Sequence, residues 1–438
     1  MTTGFAAVPE VRRYVLANAT LPAALVGALP PVPEDDDLVN ADIVIADGRI
    51  ESVGGAVDAG VPRLDLDRGM VWPCFVDMHT HIDKGHIWPR RANPDGTFMG
   101  ALDAVRVDRE ANWSADDVRR RMDFSLRSAY AHGTALLRTH IDSLPPQHAV
   151  SWPVFAEIRA EWAGRVELQG VALYPVDAIL DESFRTGLTS ELRRHGGLLG
   201  AATFMVPELD RALGLIFGLA EDEGFDLDFH VDESEDPAAR SLRHIADTAL
   251  GRRFPGRITV GHCCSLAVQP KGEAEETMAR VRDAGISVVS LPMCNMYLQD
   301  RHAGRTPRWR GVTLLHEMKA RGIPVAVASD NTRDPFYAYG DLDPLEVFRE
   351  ASRILQLDHP VGDWPAAVCR DPAAIIGRPE FGRIAVDRPA DLVLFRARNW
   401  TELLARPQSD RTVLRSGKPI DRTLPDYREL DDLMERRP

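Results

Sequence analysis

Two histidines one residue apart, His79 and His81, follow the apolar run Met70–Val76. On an extended strand alternate side chains share a face, so both imidazoles point the same way. Two imidazoles on one face at the end of a buried strand make half of a metal site. Further polar groups stand where later apolar runs end: His230 with Glu233 just beyond it, His262, and Asp330 followed by Asn331. Together these groups point to a hydrolytic enzyme.

The elements that must hold them alternate in type. Strand-like runs at Val71–His79, Gly133–His140, Val166–Tyr174, Gly197–Phe204, Phe225–Val231, Arg257–Cys263, Ile286–Leu291 and Ile323–Ser329 are separated by helical patterns such as Ala115–His132, Glu208–Glu223, Ala238–Leu250 and Glu273–Ala284. Eight strands with crossovers are the rhythm of an α/β protein of the (β/α)8 TIM-barrel class. In such a barrel catalytic groups sit at the C-terminal ends of the strands, where the polar residues fall here. The span 71–380, about 310 residues, exceeds the ~250 typical of the fold and leaves room for long loops.

The chain ends read differently. Asp42–Val53 is two strands flanking an Asp47-Gly48 turn, a strong hairpin signal. Ala390–Phe395 and Arg411–Pro419 repeat the strand-and-turn pattern. The expected organisation is therefore a barrel over 71–380 and a small β-sandwich domain built from both ends, residues 1–70 and 381–438, the last part carrying a tail.

Composition narrows the function classes. A formal charge of −14 argues against nucleic acid or an anionic membrane as partner. No apolar stretch approaches the ~20 residues of a membrane span. Leu21–Pro31 is apolar but broken by prolines and lacks the flanks of a signal peptide, so the expected location is cytoplasmic. The 5 cysteines (Cys74, Cys263, Cys264, Cys294, Cys369) form no C-x-x-C pair, which disfavours both a disulfide framework and a cysteine zinc cluster. Neither a phosphate-binding loop nor a dinucleotide fingerprint opens a helix. Pro73-Cys74 has no C-x-x-C continuation of the kind found in zinc nucleobase deaminases.

The order H-x-H, H-x-D-E, G-H and S-D-N resembles the amidohydrolase superfamily, and more narrowly its cytosine-deaminase-like branch. Arg138-Thr139-His140-Ile141-Asp142, Asn295-Met296-Tyr297-Leu298-Gln299 and Asp334-Pro335-Phe336 extend the resemblance along nearly the whole chain. It implies that His79, His81, His230 and Asp330 hold one divalent metal ion, zinc or iron(II). Such an ion brings the pKa of bound water from 15.7 to about 7. By the same resemblance Asp330 accepts a proton from the attacking water. His262 polarises that water or steadies the tetrahedral intermediate. Glu233 carries a proton to a ring nitrogen and on to the leaving amine. His140 matches a family histidine and is expected to support the ligands from behind. Lys84 either anchors the loop after strand one or meets an anionic group of the substrate. It is not the bridging lysine of two-metal relatives, which comes from strand four; here that strand ends in Thr203-Phe204.

Three departures bear on the substrate. Val176 stands where true cytosine deaminases carry the glutamine that reads the pyrimidine edge. Asn331 replaces a second aspartate, and Phe336 replaces a tryptophan. A valine cannot make the missing hydrogen bond, so the expected ring is not cytosine but a modified pyrimidine, a pterin or a triazine-like heterocycle. Tyr174 and Phe336 either stack on that ring or belong to the core. The reaction expected is hydrolytic loss of ammonia from an exocyclic ring amine. The alternatives are hydrolysis of a cyclic amide, removal of an N-alkylamino group, or a metal-binding assembly module without turnover. Family habit implies a homo-oligomer.

Overall fold

The computed structural model describes residues 4–27 and 37–435. Residues 28–31 of the Leu21–Pro31 segment, with 1–3 and 436–438 of the two expected end domains, lie outside the described residues.

Two compact units divide the chain. One gathers Met1–Asp77, Arg127–Leu136 and Asp343–Pro425. It holds two four-stranded sheets. In the first, Arg13–Pro22 lies between Leu38–Ala46, antiparallel, and the parallel Arg63–Asp65, with Arg49–Val53 at the edge. The expected hairpin is present: Ala46 pairs with Arg49 across Asp47 and Gly48, both at positive φ, the backbone that a two-residue hairpin turn requires. The second sheet runs Lys418–Pro419, Thr412–Arg415, Leu392–Leu394 and Val71–Pro73. Leu16, Leu21, Ile43 and Ile45 of one sheet share a buried apolar cluster with Val71, Leu392, Leu394 and Leu414 of the other. Val71–His79, expected as one strand, is broken at Cys74. Val71–Pro73 pairs antiparallel with Leu392–Leu394, and a new strand starts at Phe75.

The other unit, Met78–Leu126, Leu137–Leu342 and Asp426–Pro438, carries the candidate site. The strands that end in it are β1 (Phe75–Thr80) and β2 (Thr134–Asp142), each of whose first three residues belong to the first unit, then β3 (Glu167–Leu173), β4 (Leu199–Thr203), β5 (Leu227–Val231), β6 (Ile258–His262), β7 (Ser287–Ser290) and β8 (Val325–Val327). Strands β4 to β8 form a parallel sheet in sequence order, and β1 to β3 form a second sheet. Parallel bridges Thr80↔Asp330 and Val171↔Leu198 link β1 to the end of β8 and β3 to the start of β4. The fold is α/β with parallel strands. Strands β1, β2, β6 and β7 are buried at every position, as apolar runs covered on both faces must be.

Helices follow most strands. Ala115–His132 spans the residues expected of it. The long loop after β1 holds a helix not among the expected elements, α1 (Phe98–Asn112), whose first turn is capped by the Thr97 side chain accepting from the Gly100 amide. Among the described residues no helix is long and apolar enough to cross a membrane.

Candidate metal centre and active site

The strand ends converge as the alternation on β1 demands. His79 Nε2 stands 3.2 Å from His230 Nε2, which is 3.1 Å from His81 Nε2. Asp330 Oδ1 lies 3.2 Å from His81 Nε2 and 3.6 Å from His79 Nε2. Ligand atoms about 2.0–2.1 Å from one tetrahedral ion stand roughly 3.3 Å apart, so these spacings fit four donors converging on a single ion. Hydrogen bonding alone does not account for them. A neutral imidazole carries one N–H, and the His230 nitrogen faces two others at once. Burial pushes His79, His81 and His230 well below the usual histidine range, reinforced by neighbouring histidines at all three and by Lys84 at His79 and His81. The rings are therefore neutral, the state in which a ring nitrogen binds a cation. The donor set fits a divalent metal.

His140 is fully buried behind this cluster, its ring 4.1 Å from that of His79 and 4.5 Å from that of His230. Its Nε2 is 3.9 Å from Asp228, which in turn accepts from Arg138 at 2.8 Å.

His262 and Glu233 share a partner that sequence reasoning did not single out. The Asn295 amide donates to His262 Nδ1 at 2.9 Å and to Glu233 Oε1 at 3.3 Å. With Nδ1 accepting, the His262 proton resides on Nε2, and burial lowers the ring to about 3, so it stays neutral. Burial, and then the nearby Asp330 carboxylate, raise Glu233 well above the usual carboxylate range. Its protonated form is thereby favoured, the state in which a carboxyl can donate a proton. His262, Asp330 and Asp232 all adopt positive φ at or just past the strand ends. A bulky residue there costs about 1–3 kcal/mol, and such strain concentrates at functional sites.

A cavity of about 250 Å³ opens beside these groups. His81, His230, Glu233, His262 and Asp330 line it. Lys84, Tyr174, Asn331 and Phe336 also line it. Val176 does not appear among its lining residues: it is fully buried, and Leu173, Tyr174 and Pro175 face the cavity instead. Asp334 shapes the loop after β8, accepting from the amides of Phe336 at 2.8 Å and Tyr337 at 3.2 Å and from the Asn331 side chain at 2.6 Å. The sequence reading missed the α1 wall, where Phe98, Leu102, Val105, Arg106 and Arg109 recur at helical spacing. Thr97 followed by that spacing was the available signal.

Comparison with known proteins decides the family. A model of the Amidohydrolase family matches residues 160–421. The chain is 59% identical over 436 residues, 99% of its own length and 100% of the relative's, to pterin deaminase of Rhizobium rhizogenes (strain K84 / ATCC BAA-868).

The chain belongs to the amidohydrolase family.

This amidohydrolase is thus a hydrolase of C–N bonds other than peptide bonds. It is also 24% identical to N-isopropylammelide isopropyl amidohydrolase of Pseudomonas sp. (strain ADP), over 86% of this chain and 93% of that one. Its fold matches the crystal structure of 5-methylcytosine deaminase from Klebsiella pneumoniae with a TM-score of 0.79 at 23% identity, covering 93% of this chain and 97% of that one. Family membership agrees with the resemblance carried by the H-x-H, H-x-D-E, G-H and S-D-N motifs.

Proposed function

We propose that this amidohydrolase deaminates a pterin, the 2-amino-4-oxopteridine ring, at its 2-amino group. The observation that carries the reading is the 59% identity to a pterin deaminase over 99% of this chain. Water adds its oxygen to the carbon bearing the amine, the C–N bond breaks, and the products are the dioxo ring and ammonia.

His79, His81, His230 and Asp330 would hold a single divalent ion, zinc or iron(II). That ion, when bound, makes water a nucleophile at neutral pH. The chain's own groups do the rest. His262 presents its Nε2–H toward the reacting centre because Asn295 occupies Nδ1. Glu233, whose protonated form burial favours, gives its proton to a ring nitrogen, then takes the remaining proton of the added water from the hydroxyl of the adduct and passes it to the departing amine. Asp330 receives the first proton that water gives up and returns it to Glu233 at the end of the cycle. Lys84 meets an acceptor on the ring, Phe336 and Tyr174 provide faces for it, and Asn331 closes the floor.

The same reading takes the parallel strands as a closed eight-stranded barrel over 71–380, supported by the two bridges that join the edges of both sheets. It takes the ends, 1–70 and 381–438, as a small β-sandwich, supported by the apolar cluster common to both of its sheets. A cytoplasmic setting rests on five cysteines that are all buried and free. A homo-oligomer rests on family resemblance alone.

The test is ammonia release from pterin, cytosine and an N-alkylamino triazine, with metal analysis of the same sample. Ammonia and the dioxo product from pterin are expected, with activity lost to a chelator and restored by one equivalent of zinc or iron(II). Turnover of cytosine but not pterin would overturn the substrate. Release of an alkylamine in place of ammonia would favour the N-alkylamino alternative.

A further inference from the structure

Lys84 enters the cavity wall with its side chain only 5% exposed. Among the described residues its ammonium hydrogen-bonds Asp142 alone, at 3.1 Å to Oδ1. An ammonium has three N–H donors, so a buried one with a single acceptor keeps two for a ligand. The other oxygen of Asp142 is taken: Arg109 of α1 donates to Oδ2 at 2.9 Å. One carboxylate therefore divides its oxygens between two cations, and all three side chains line the cavity.

Each end of this chain of contacts is fastened. The Asp142 amide donates to Asp83 Oδ2 at 2.8 Å, which ties the end of β2 to the loop that carries Lys84. Next to Arg109, Asp108 accepts from Arg90 at 2.9 Å and from the Trp113 indole at 2.8 Å, both buried, so the last turn of α1 is held in place. The ammonium stands over the Phe336 ring, 5.5 Å from its centroid, and Phe336 also lines the cavity.

We propose that Arg109 is a positioning residue for substrate recognition: by occupying Asp142 Oδ2 it restricts Lys84 to a single carboxylate oxygen and holds its ammonium toward the acceptor edge of the ring. The inference rests on the proposed pterin reading. Without Arg109 the carboxylate is free to take Lys84 with both oxygens, which draws the ammonium toward Asp142 and away from the ring. The ring here is one that offers a carbonyl oxygen beside a ring nitrogen, and a single cation can engage both.

A double-mutant cycle in the metal-loaded enzyme tests this, with ammonia release from pterin as the readout. Arg109→Gln is expected to raise KM about 10-fold with kcat nearly unchanged, the pattern of a contact made equally in ground and transition states. Arg109→Lys, which still pairs with Asp142, should recover KM to within about 3-fold. Lys84→Met should lower kcat/KM by about 100-fold, and adding Arg109→Gln to it should do nothing more. Metal content should stay the same throughout. Additive losses, or a KM indifferent to Arg109→Gln, would overturn the positioning role while leaving the deaminase reading intact. Should Arg109→Gln fail to fold, the unchanged chain still decides: it should turn over pterin at least about 10-fold more efficiently than 2,4-diaminopteridine, whose amine replaces the carbonyl acceptor. Equal rates on the two would sink the proposal. A wild-type enzyme inert toward pterin removes the proposed function itself, and this inference with it.

Discussion

The ring of His79 lies against the α-carbon of Gly261. A Cβ built on that glycine would stand 2.9 Å from His79 Cε1 and 3.2 Å from Nδ1. Gly261 is fixed in the β-ladder opposite His230 and cannot retreat, so the glycine before His262 is the space into which a candidate ligand packs. Gly261→Ala is therefore expected to push His79 off its position. The metal bound per chain should fall, with the rate dropping at least about 10-fold and overpacking costing about 1–3 kcal/mol. Full metal occupancy in the variant would refute the packing argument.

Glu233→Gln keeps shape and removes the transferable proton. Metal content should match wild type while kcat falls by about 10²–10⁴. A rate within a factor of about two of wild type would take Glu233 out of the proton path.

Asn295 is the residue through which His262 and Glu233 are set together. Asn295→Asp replaces the donor to His262 Nδ1 with an acceptor, so the ring proton should move to Nδ1 and leave Nε2 bare. The rate should fall further than in Asn295→Ala, by about 10-fold more, with metal retained. Steady-state kinetics on the two variants checks the order, and an inverted order would show that the tautomer is unimportant.

Asp343 and Arg411 pair in the first unit through both carboxylate oxygens, at 2.8 and 2.7 Å. Burial alone would raise Asp343, but the Arg411 guanidinium outweighs it and holds the carboxyl at about 2. Because the folded group is the stronger acid, its contribution, about 2 kcal/mol, is present above pH ~4 and is lost as pH falls toward ~2. Asp343→Asn leaves the buried guanidinium uncompensated and should destabilise this unit by about 3–5 kcal/mol at neutral pH. Denaturant titrations at several pH values should show the gap between the proteins narrowing in acid. A gap constant from pH 7 to pH 2 would contradict the assignment.

Local patterns carried much of the architecture. The Asp47-Gly48 hairpin, Ala115–His132, and the β/α alternation were legible because turn chemistry and hydrophobic period depend on neighbours a few residues away. His79 and His81 share a face for the same reason. The strand that was read as continuous from Val71 to His79 divides because Val71–Pro73 finds its partner more than 300 residues later, at Leu392–Leu394, and no local pattern reports that.

The residue types at the strand ends, and the family they signal, were determined by the sequence by itself. Tertiary structure alone decided which groups face one another. It joined Asn295 to His262 and Glu233, turned Val176 into the core and Tyr174 to the cavity, and divided Asp142 between Lys84 and Arg109. The reason is physical: period and spacing set the face of a strand on which a side chain stands, whereas hydrogen bonds between residues tens of positions apart exist only after the chain has packed.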